Sequence, residues 1–308
     1  MRVAVIGAGA VGGLLGALLH RAGHAVSFVA QGKSQAAVRE TGITVTTASG
    51  SFTTGPLQAE TDPGALGFQD LVILGSKSWQ VADIAPSLKP LLEENTMVIP
   101  TQNGVEAAAQ LAKVLGEKGV LGGICHVIAS REGPGKVKYV GMAPELTLGE
   151  RAGGLSRRLE ALAPLLRAAG ITTTLNPNIE VALWQKLLFV EAFGSVGAVS
   201  RSSIDLVRKT PETRAMLEAA MRETQAVAVA RGVPVPEEAI TNSLKRVDAL
   251  PAGATSSMHR DLLEGRESEL NEQTGAVVRL GKEVKVATPI HDFLYAALLP
   301  QELKARGK

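Results

Sequence analysis

The sequence predicts an α/β fold: a doubly wound, mostly parallel sheet in the N-terminal half, followed by an all-helical C-terminal half. Three observations carry this. Short β-branched runs alternate with stretches of helical period over the first half of the chain. A glycine-rich turn, Gly7-Ala8-Gly9-Ala10-Val11-Gly12, directly follows the first of these runs and opens the first helical stretch. Beyond Asn176-Pro177-Asn178 nearly every apolar pattern has helical period. The 308 residues are enough for two domains at roughly 150 residues each. The change of pattern divides them near residue 176, into a dinucleotide-binding domain over 1–176 and a helical domain over 177–308.

Taken in order, residues 2–6 read as a strand, 11–22 as a helix and 25–30 as a second strand, one βαβ unit. Apolar runs at 71–74, 97–99 and 120–124 continue the sheet, with helical stretches at 81–92 and 105–115 between them. Alternation of this kind predicts a parallel sheet with helices on both faces. Residues 43–54 alternate Thr with apolar residues around Ala48-Ser49-Gly50, and 127–148 holds two β-like runs split by Pro134-Gly135. Both regions read as additional, antiparallel strands. A helix at 155–169 and a strand at 171–175 close the first half. The second half reads as helices at 180–193, 211–231, 236–249, 257–264, 269–283 and 289–299, with 232–236 and 281–289 as connections.

Composition narrows the function. Basic residues number 32 against 30 acidic, the net charge is +2, and aromatics make up only 3%, with no long basic run. A nucleic-acid partner is not expected from such a chain. The single cysteine, Cys125, can form neither an internal disulfide nor a multi-thiolate metal site, which fits a reducing compartment. Cys125, His126 and His259 lack a second His or Cys at metal-ligand spacing, so no metal is expected. Residues 3–19 are uncharged and follow Arg2, the pattern of a signal peptide or a membrane span. Five glycines, Gly7, Gly9, Gly12, Gly13 and Gly16, interrupt the stretch and have another explanation below. No other stretch reads as long and apolar enough to cross a bilayer. A soluble, cytoplasmic protein is expected, a monomer or homodimer with no membrane partner.

The glycine turn carries the first chemistry. Gly7 permits the tight turn out of the strand, Gly9 lets a pyrophosphate approach the backbone, and Gly12 lets the helix pack close to the strand. The helix N-terminus attracts the anion. An NAD-selective site carries an Asp or Glu about 20 residues further on, at the end of the second strand. Here the chain reads Val29-Ala30-Gln31-Gly32-Lys33-Ser34, and the first carboxylate is Glu40. Gln31, Lys33 and Ser34 offer an amide, an ammonium and a hydroxyl, which suit a 2′-phosphate. NADP is therefore favoured, with NAD left open.

Lys77 and Asn103 follow predicted parallel strands on the carboxyl side, where open α/β sheets bind ligands. In the helical half, Leu183-Trp184-Gln185-Lys186-Leu187 places a lysine beside an apolar helix face, three residues after Leu183 and four before Val190. Ser256-Ser257-Met258-His259-Arg260-Asp261 precedes Arg266 and Glu269. Singly, each has a plain reading: Asn103-Gly104 as a turn, Lys77 as a surface lysine, Lys186 as a snorkelling side chain, the serines as helix caps.

Together these motifs resemble the ketopantoate reductase (2-dehydropantoate 2-reductase) family over nearly the whole chain. The resemblance rests on the Gly7–Gly12 turn, Lys77-Ser78-Trp79-Gln80, Gln102-Asn103-Gly104, Leu183-Trp184-Gln185-Lys186-Leu187, Ser256-Ser257-Met258 with Asp261, and Glu269 after Arg266. It implies an NADPH-dependent reductase of a 2-oxo acid, with a Rossmann-type N-terminal domain, a helical C-terminal domain and the active site in the cleft between them. By the same resemblance, Lys186 is the proton donor. Asn103 and Lys77 lie at coenzyme and substrate, Ser257 meets the substrate carboxylate, and Glu269 completes the site.

The chemistry agrees: hydride delivered to a ketone carbon leaves charge on oxygen, and an ammonium beside it stabilises that charge and supplies the proton. Three positions depart from the family. Asparagines four and eight residues after the lysine, which in the family bind the substrate's hydroxyl and carboxylate, are here Val190 and Gly194. The third is Gln31, where many members have an arginine. Two other readings stay open, a nonenzymatic dinucleotide-binding sensor and a related β-hydroxyacid or sugar-acid dehydrogenase. The latter carries an asparagine at the position of Val190.

Overall fold

The computed structural model describes every residue except Met142. The chain forms two compact units, Met1–Gln102 with Ala107–Ile179, and Asn103–Glu106 with Glu180–Lys308. The first contains β1 (Arg2–Ile6), α1 (Ala10–Arg21), β2 (Ala25–Val29), α2 (Gly32–Glu40), β3 (Thr44–Thr47), β4 (Gly50–Thr53), β5 (Gln58–Glu60), β6 (Leu71–Leu74), α3 (Val81–Ile84), β7 (Met97–Pro100), α4 (Ala107–Leu115), β8 (Leu121–His126), β9 (Ala129–Gly133), β10 (Lys136–Tyr139), β11 (Glu145–Glu150), α5 (Arg157–Ala168) and β12 (Thr172–Leu175).

The main sheet is parallel throughout, in the order β5-β2-β1-β6-β7. The chain winds from β1 to β2 on one side, and β6 and β7 lie on the other, so the winding reverses beside β1 and the fold is doubly wound. A second sheet, β4-β3-β10-β9, covers α1 from behind. Glycines fit α1 between the two layers: a Cβ at Gly16 would overlap the Phe28 ring, and one at Gly13 would lie 3.0 Å from Val137 Cγ2. The β3–β4 and β9–β10 pairs are antiparallel, as their turns require, but β3 and β10 pair parallel. No hairpin joins those two, so no turn fixes their relative direction. A third sheet, β12-β11-β8, completes the unit.

Two elements differ from expectation. The helix expected over 81–92 is one α turn followed by a 3-10 segment, Ala85–Leu91. Pro86 and Pro90 remove the amides an α-helix would need there. The helix α2 was not expected because it is short and buries only Val38, leaving no apolar period.

The second unit comprises α6 (Ile179–Ser200), α7 (Ile204–Lys209), α8 (Pro211–Ala230), α9 (Glu238–Ala249), α10 (Ser257–Leu263), α11 (Thr274–Glu283) and α12 (Pro289–Ala305). Contrary to the sequence expectation, α6 is long and apolar enough to cross a membrane by length and composition, yet 78% of its apolar window is buried inside the protein. Trp184, Leu187, Leu188, Ala192 and Val196 of α6 form the centre of the helical core. The helix expected over 269–283 begins only at Thr274, so Glu269 lies in the segment before α11.

One buried charge cluster ties this core together. His291 on α12 meets Glu191 of α6 through Nε2 and Glu223 of α8 through Nδ1, each at 2.7 Å. Glu223 also accepts the backbone N–H groups of Ile290 and His291 at 2.8 and 3.0 Å, capping α12. Burial would depress the His291 pKa, but the two carboxylates outweigh it and push it up to about 9.

Candidate active site

Strand register gathers the first group of residues. Ile6 pairs with Leu74, and Leu74 with Pro100, so the carboxyl ends of β1, β6 and β7 finish level. The loops that follow start at Gly7, Gly75 and Thr101. Gly7 has φ +100°, open to glycine, and its N–H donates to Val29 O at 2.8 Å. A Cβ at Gly12 would overlap Gly7 O, and one at Gly75 would stand 2.6 Å from Gly12 Cα. These glycines are therefore demanded by the protein's own packing. Gly9 is different: it is the N-cap of α1 at φ −81°, and a Cβ there would meet nothing nearer than Gly75 O at 3.8 Å. No packing among the described residues requires glycine at this position, which fits a dinucleotide pyrophosphate lying against its backbone at the positive end of α1. Ala8, Ala10 and Val11 complete this turn. Beside it, Ser76 Oγ is buried with no hydrogen-bond partner among the described residues.

At the end of β2, Gln31 is the N-cap of α2 and caps it with no side-chain bond. Lys33 and Ser34 therefore stand in the first turn of a helix, and not in a loop, and exposed Gln31 and Lys33 flank its N-terminal amides. Lys77 is exposed at the start of the turn after β6, its backbone N–H on Gln80 Oε1 at 3.1 Å and its ammonium 5.4 Å from the Trp79 ring centre. Gln102 fastens the end of β7 by donating to Leu74 O and Ser76 O at 3.1 and 2.9 Å.

Asn103 and Glu269, 166 residues apart in sequence, meet in the second unit: Asn103 Nδ2 donates to Glu269 Oε2 at 3.0 Å. Gln273 Nε2 reaches the same oxygen at 3.2 Å. Gly104, at φ +98°, fits because a Cβ would stand 2.7 Å from Glu272 O. Glu272 was not singled out from the sequence. Burial pushes its carboxyl up to about 7, reinforced by the Glu269 carboxylate and opposed by Arg306 and Arg279. Nothing in the sequence around Glu272 marks it as half-buried, since it lies between elements.

Lys186 is half-buried on α6, one turn after buried Leu183 and one turn before Val190, which packs against the helical core. At Gly194, two turns on from Lys186, a Cβ would stand 2.7 Å from Ser256 Oγ and 3.0 Å from Met258 Cε. Ser256 caps α10 by accepting the His259 N–H at 3.1 Å. Ser257 is the first residue of α10 and is exposed. Among the described residues, no group of three His, Cys, Asp or Glu is placed to hold a metal ion.

Comparison with known proteins matches both halves of the chain. The family model of ketopantoate reductase PanE/ApbA covers residues 3–153, and that of its C-terminal region covers 178–302. A 2-dehydropantoate 2-reductase of Halobacterium salinarum is 31% identical over 94% of this chain and 95% of its own. A PanE/ApbA family ketopantoate reductase from Ralstonia eutropha superposes with a TM-score of 0.89 at 30% identity, over 99% of this chain and 100% of its own. A D-mandelate dehydrogenase, solved with NADH and anilino(oxo)acetate, shares the fold at TM-score 0.88 and 24% identity, over 99% of each chain. Members of the family are nicotinamide dinucleotide-dependent oxidoreductases acting on CH–OH groups. The two matched regions, in the order and over the lengths that the glycine turn, Asn103, Lys186 and Glu269 span, make this chain a member of the ketopantoate reductase family.

Proposed function

We propose that this chain reduces a 2-oxo acid to the 2-hydroxy acid with NADPH, with 2-dehydropantoate as the leading named substrate. The observation that carries the reading is the Asn103–Glu269 hydrogen bond, in the same unit as the half-buried Lys186. A surface turn and a chance acidic residue have no reason to meet, whereas an amide held by a carboxylate is a fixed polar group that can orient a ligand. When bound, the reduced coenzyme supplies the hydride to the carbonyl carbon. Lys186 stabilises the negative charge that develops on the ketone oxygen and gives it a proton. Glu269 fixes Asn103 by accepting from Nδ2, which leaves Asn103 Oδ1 to receive a hydrogen bond from coenzyme or substrate. Ser257 meets the substrate carboxylate. Gly7, Gly9 and Gly12 with Ala8, Ala10 and Val11 hold the pyrophosphate. The α2 N-terminus with Gln31 and Lys33 takes the 2′-phosphate, and Lys77 adds positive charge.

A second reading of the substrate rests on Val190 and Gly194. Valine offers no hydrogen bond, and the space beside Gly194 is filled by Ser256 and Met258. A 2-oxo acid with a plain hydrocarbon tail fits these residues better than one with a terminal hydroxyl. Oxidation of NADPH and of NADH against 2-dehydropantoate, trimethylpyruvate, pyruvate and phenylpyruvate tests both readings. Turnover of at least one 2-oxo acid, faster with NADPH, is expected. No turnover of any leaves the sensor reading, and equal or better use of NADH overturns the NADPH assignment.

A further inference from the structure

We infer that Glu302 is a positioning residue for Glu269, acting through the backbone of Ser268; the inference rests on the role given to Glu269 above. Tyr295, Leu298 and Glu302 follow one another along one face of α12 at helical spacing. Each holds one residue of the segment around Glu269. Tyr295 Oη donates to Asn271 Oδ1 at 2.5 Å. Leu298 and Leu270 share a small apolar cluster. The Glu302 carboxylate accepts the Ser268 N–H at 3.0 and 3.2 Å and the Ser268 Oγ–H at 2.5 Å.

Arg306, one turn further along α12, completes the clamp. Its Nε donates to Glu302 Oε1 at 2.5 Å and a terminal nitrogen donates to Ser268 O at 3.0 Å. Both backbone polar groups of Ser268 are thus fixed by charged side chains. Ser268 Oγ also accepts the Leu270 N–H at 3.2 Å, so the hydroxyl spans the residue between them, Glu269. The Glu269 side chain itself meets Asn103 and Gln273.

Stability alone does not account for a charge at position 302. Glu302 is completely buried, and an ion pair withdrawn from water contributes no more to stability, and often less, than apolar side chains of the same volume. Leucine and methionine replacing the Glu302–Arg306 pair together would pack α12 down equally well. An apolar pair would not accept the amide of Ser268, the residue directly before Glu269, and the backbone that carries Glu269 would lose that anchor.

The test compares E302L, E302Q and E269Q in the full-length protein, with NADPH and trimethylpyruvate as reactants. E302L removes the acceptor of Arg306 Nε and of the Ser268 amide and is expected to lower the melting temperature, while at a temperature where the variant stays folded kcat falls about tenfold, the scale of a displacement of less than about 1 Å at a reacting group. E302Q keeps an acceptor oxygen and restores most of that kcat. In the E302L/E269Q double variant the E302L effect disappears, because the residue it positions is already disabled. Parental kcat in E302L, with E269Q slow, overturns the positioning role and leaves the Glu269 reading intact. Parental kcat in E269Q overturns the Glu269 reading and the positioning role with it. If E302L does not fold, Ser268→Ala decides: a kcat about threefold below the parent is expected for one lost hydrogen bond, and parental kcat overturns the inference.

Discussion

Asn103 Nδ2 lies 3.0 Å from Glu269 Oε2, so the amide of one residue is held by the carboxylate of the other across 166 positions of sequence. Asn103→Asp replaces this with two carboxylates at hydrogen-bond distance, which cannot both ionise. Turnover in that variant is expected to fall at least about tenfold at pH 8 and to recover part of the loss toward pH 5.5, as one proton is shared. Adding Glu269→Gln restores an amide–carboxylate pair with its polarity reversed, and part of the activity at pH 8 should return. A pH–rate profile for parent, single and double variants checks this; a flat, parental profile for Asn103→Asp would contradict it.

Gly9 and Gly12 are predicted to part company on substitution. A Cβ at Gly12 overlaps the Gly7 carbonyl, so Gly12→Ala should destabilise the first unit by on the order of 3 kcal/mol. Gly9→Ala meets only a 3.8 Å contact in a conformation alanine tolerates, and stability should stay within about 1 kcal/mol of the parent. Coenzyme affinity should nevertheless drop at least about tenfold, because the methyl group takes the place of the pyrophosphate. Thermal melts with and without NADPH separate the two effects.

Val190 and Gly194 give a paired prediction on substrate. Val190→Asn adds a hydrogen-bonding group one turn from Lys186, and KM for 2-dehydropantoate should fall about tenfold, the value of one well-placed hydrogen bond. Gly194→Asn should not do the same. Its Cβ would displace Ser256 Oγ from the His259 N–H, at a cost of about 1 kcal/mol for the lost cap and more for the crowding. Steady-state kinetics with the two variants, together with their melting temperatures, distinguish gain of binding from loss of fold.

The buried His291 makes stability pH-dependent in a defined direction. Its folded value of about 9 lies above the ordinary 6.5, so the native protein keeps a proton that the unfolded chain has released. The contribution, on the order of 3 kcal/mol, is complete below pH 6.5 and is lost as pH rises through about 9. His291→Gln should remove that slope and destabilise the protein by about 3–5 kcal/mol at pH 7, since Glu191 and Glu223 are left without their cation. Denaturant melts from pH 6 to 10 measure both quantities; an unchanged slope in the variant would show that another group titrates.

The sequence made the β1–α1–β2 unit and its glycine turn legible because each local signal agrees with the fold: β-branched strand, Gly at φ +100°, apolar helix. It left α2 unseen because its nine residues, with Val38 alone buried, carry no apolar period. Its start of the helix over 269–283 came five residues early, since the tertiary bonds of Ser268 and Asn271 to α12 hold that segment out of a helix. Of the candidate site, the glycines stood out by pattern, and Lys186 by its place in an apolar helix. The partners that fix the site did not. Glu302 and Glu272 look like ordinary surface acids in sequence, and only packing shows Glu302 fully buried against Ser268 and Glu272 with its carboxyl pushed up to about 7.

The most direct test is Lys186→Ala, measured for NADPH affinity by fluorescence titration and for turnover on the fastest 2-oxo acid of the panel. The phosphate-binding turn and α1 are untouched by the change, so NADPH should bind within a few-fold of the parent. Loss of the proton donor and of the charge beside the ketone oxygen should slow turnover by at least about a hundredfold. Near-parental turnover in a variant that binds NADPH normally would make Lys186 a half-buried helix residue without a catalytic part, and would contradict the proposed mechanism.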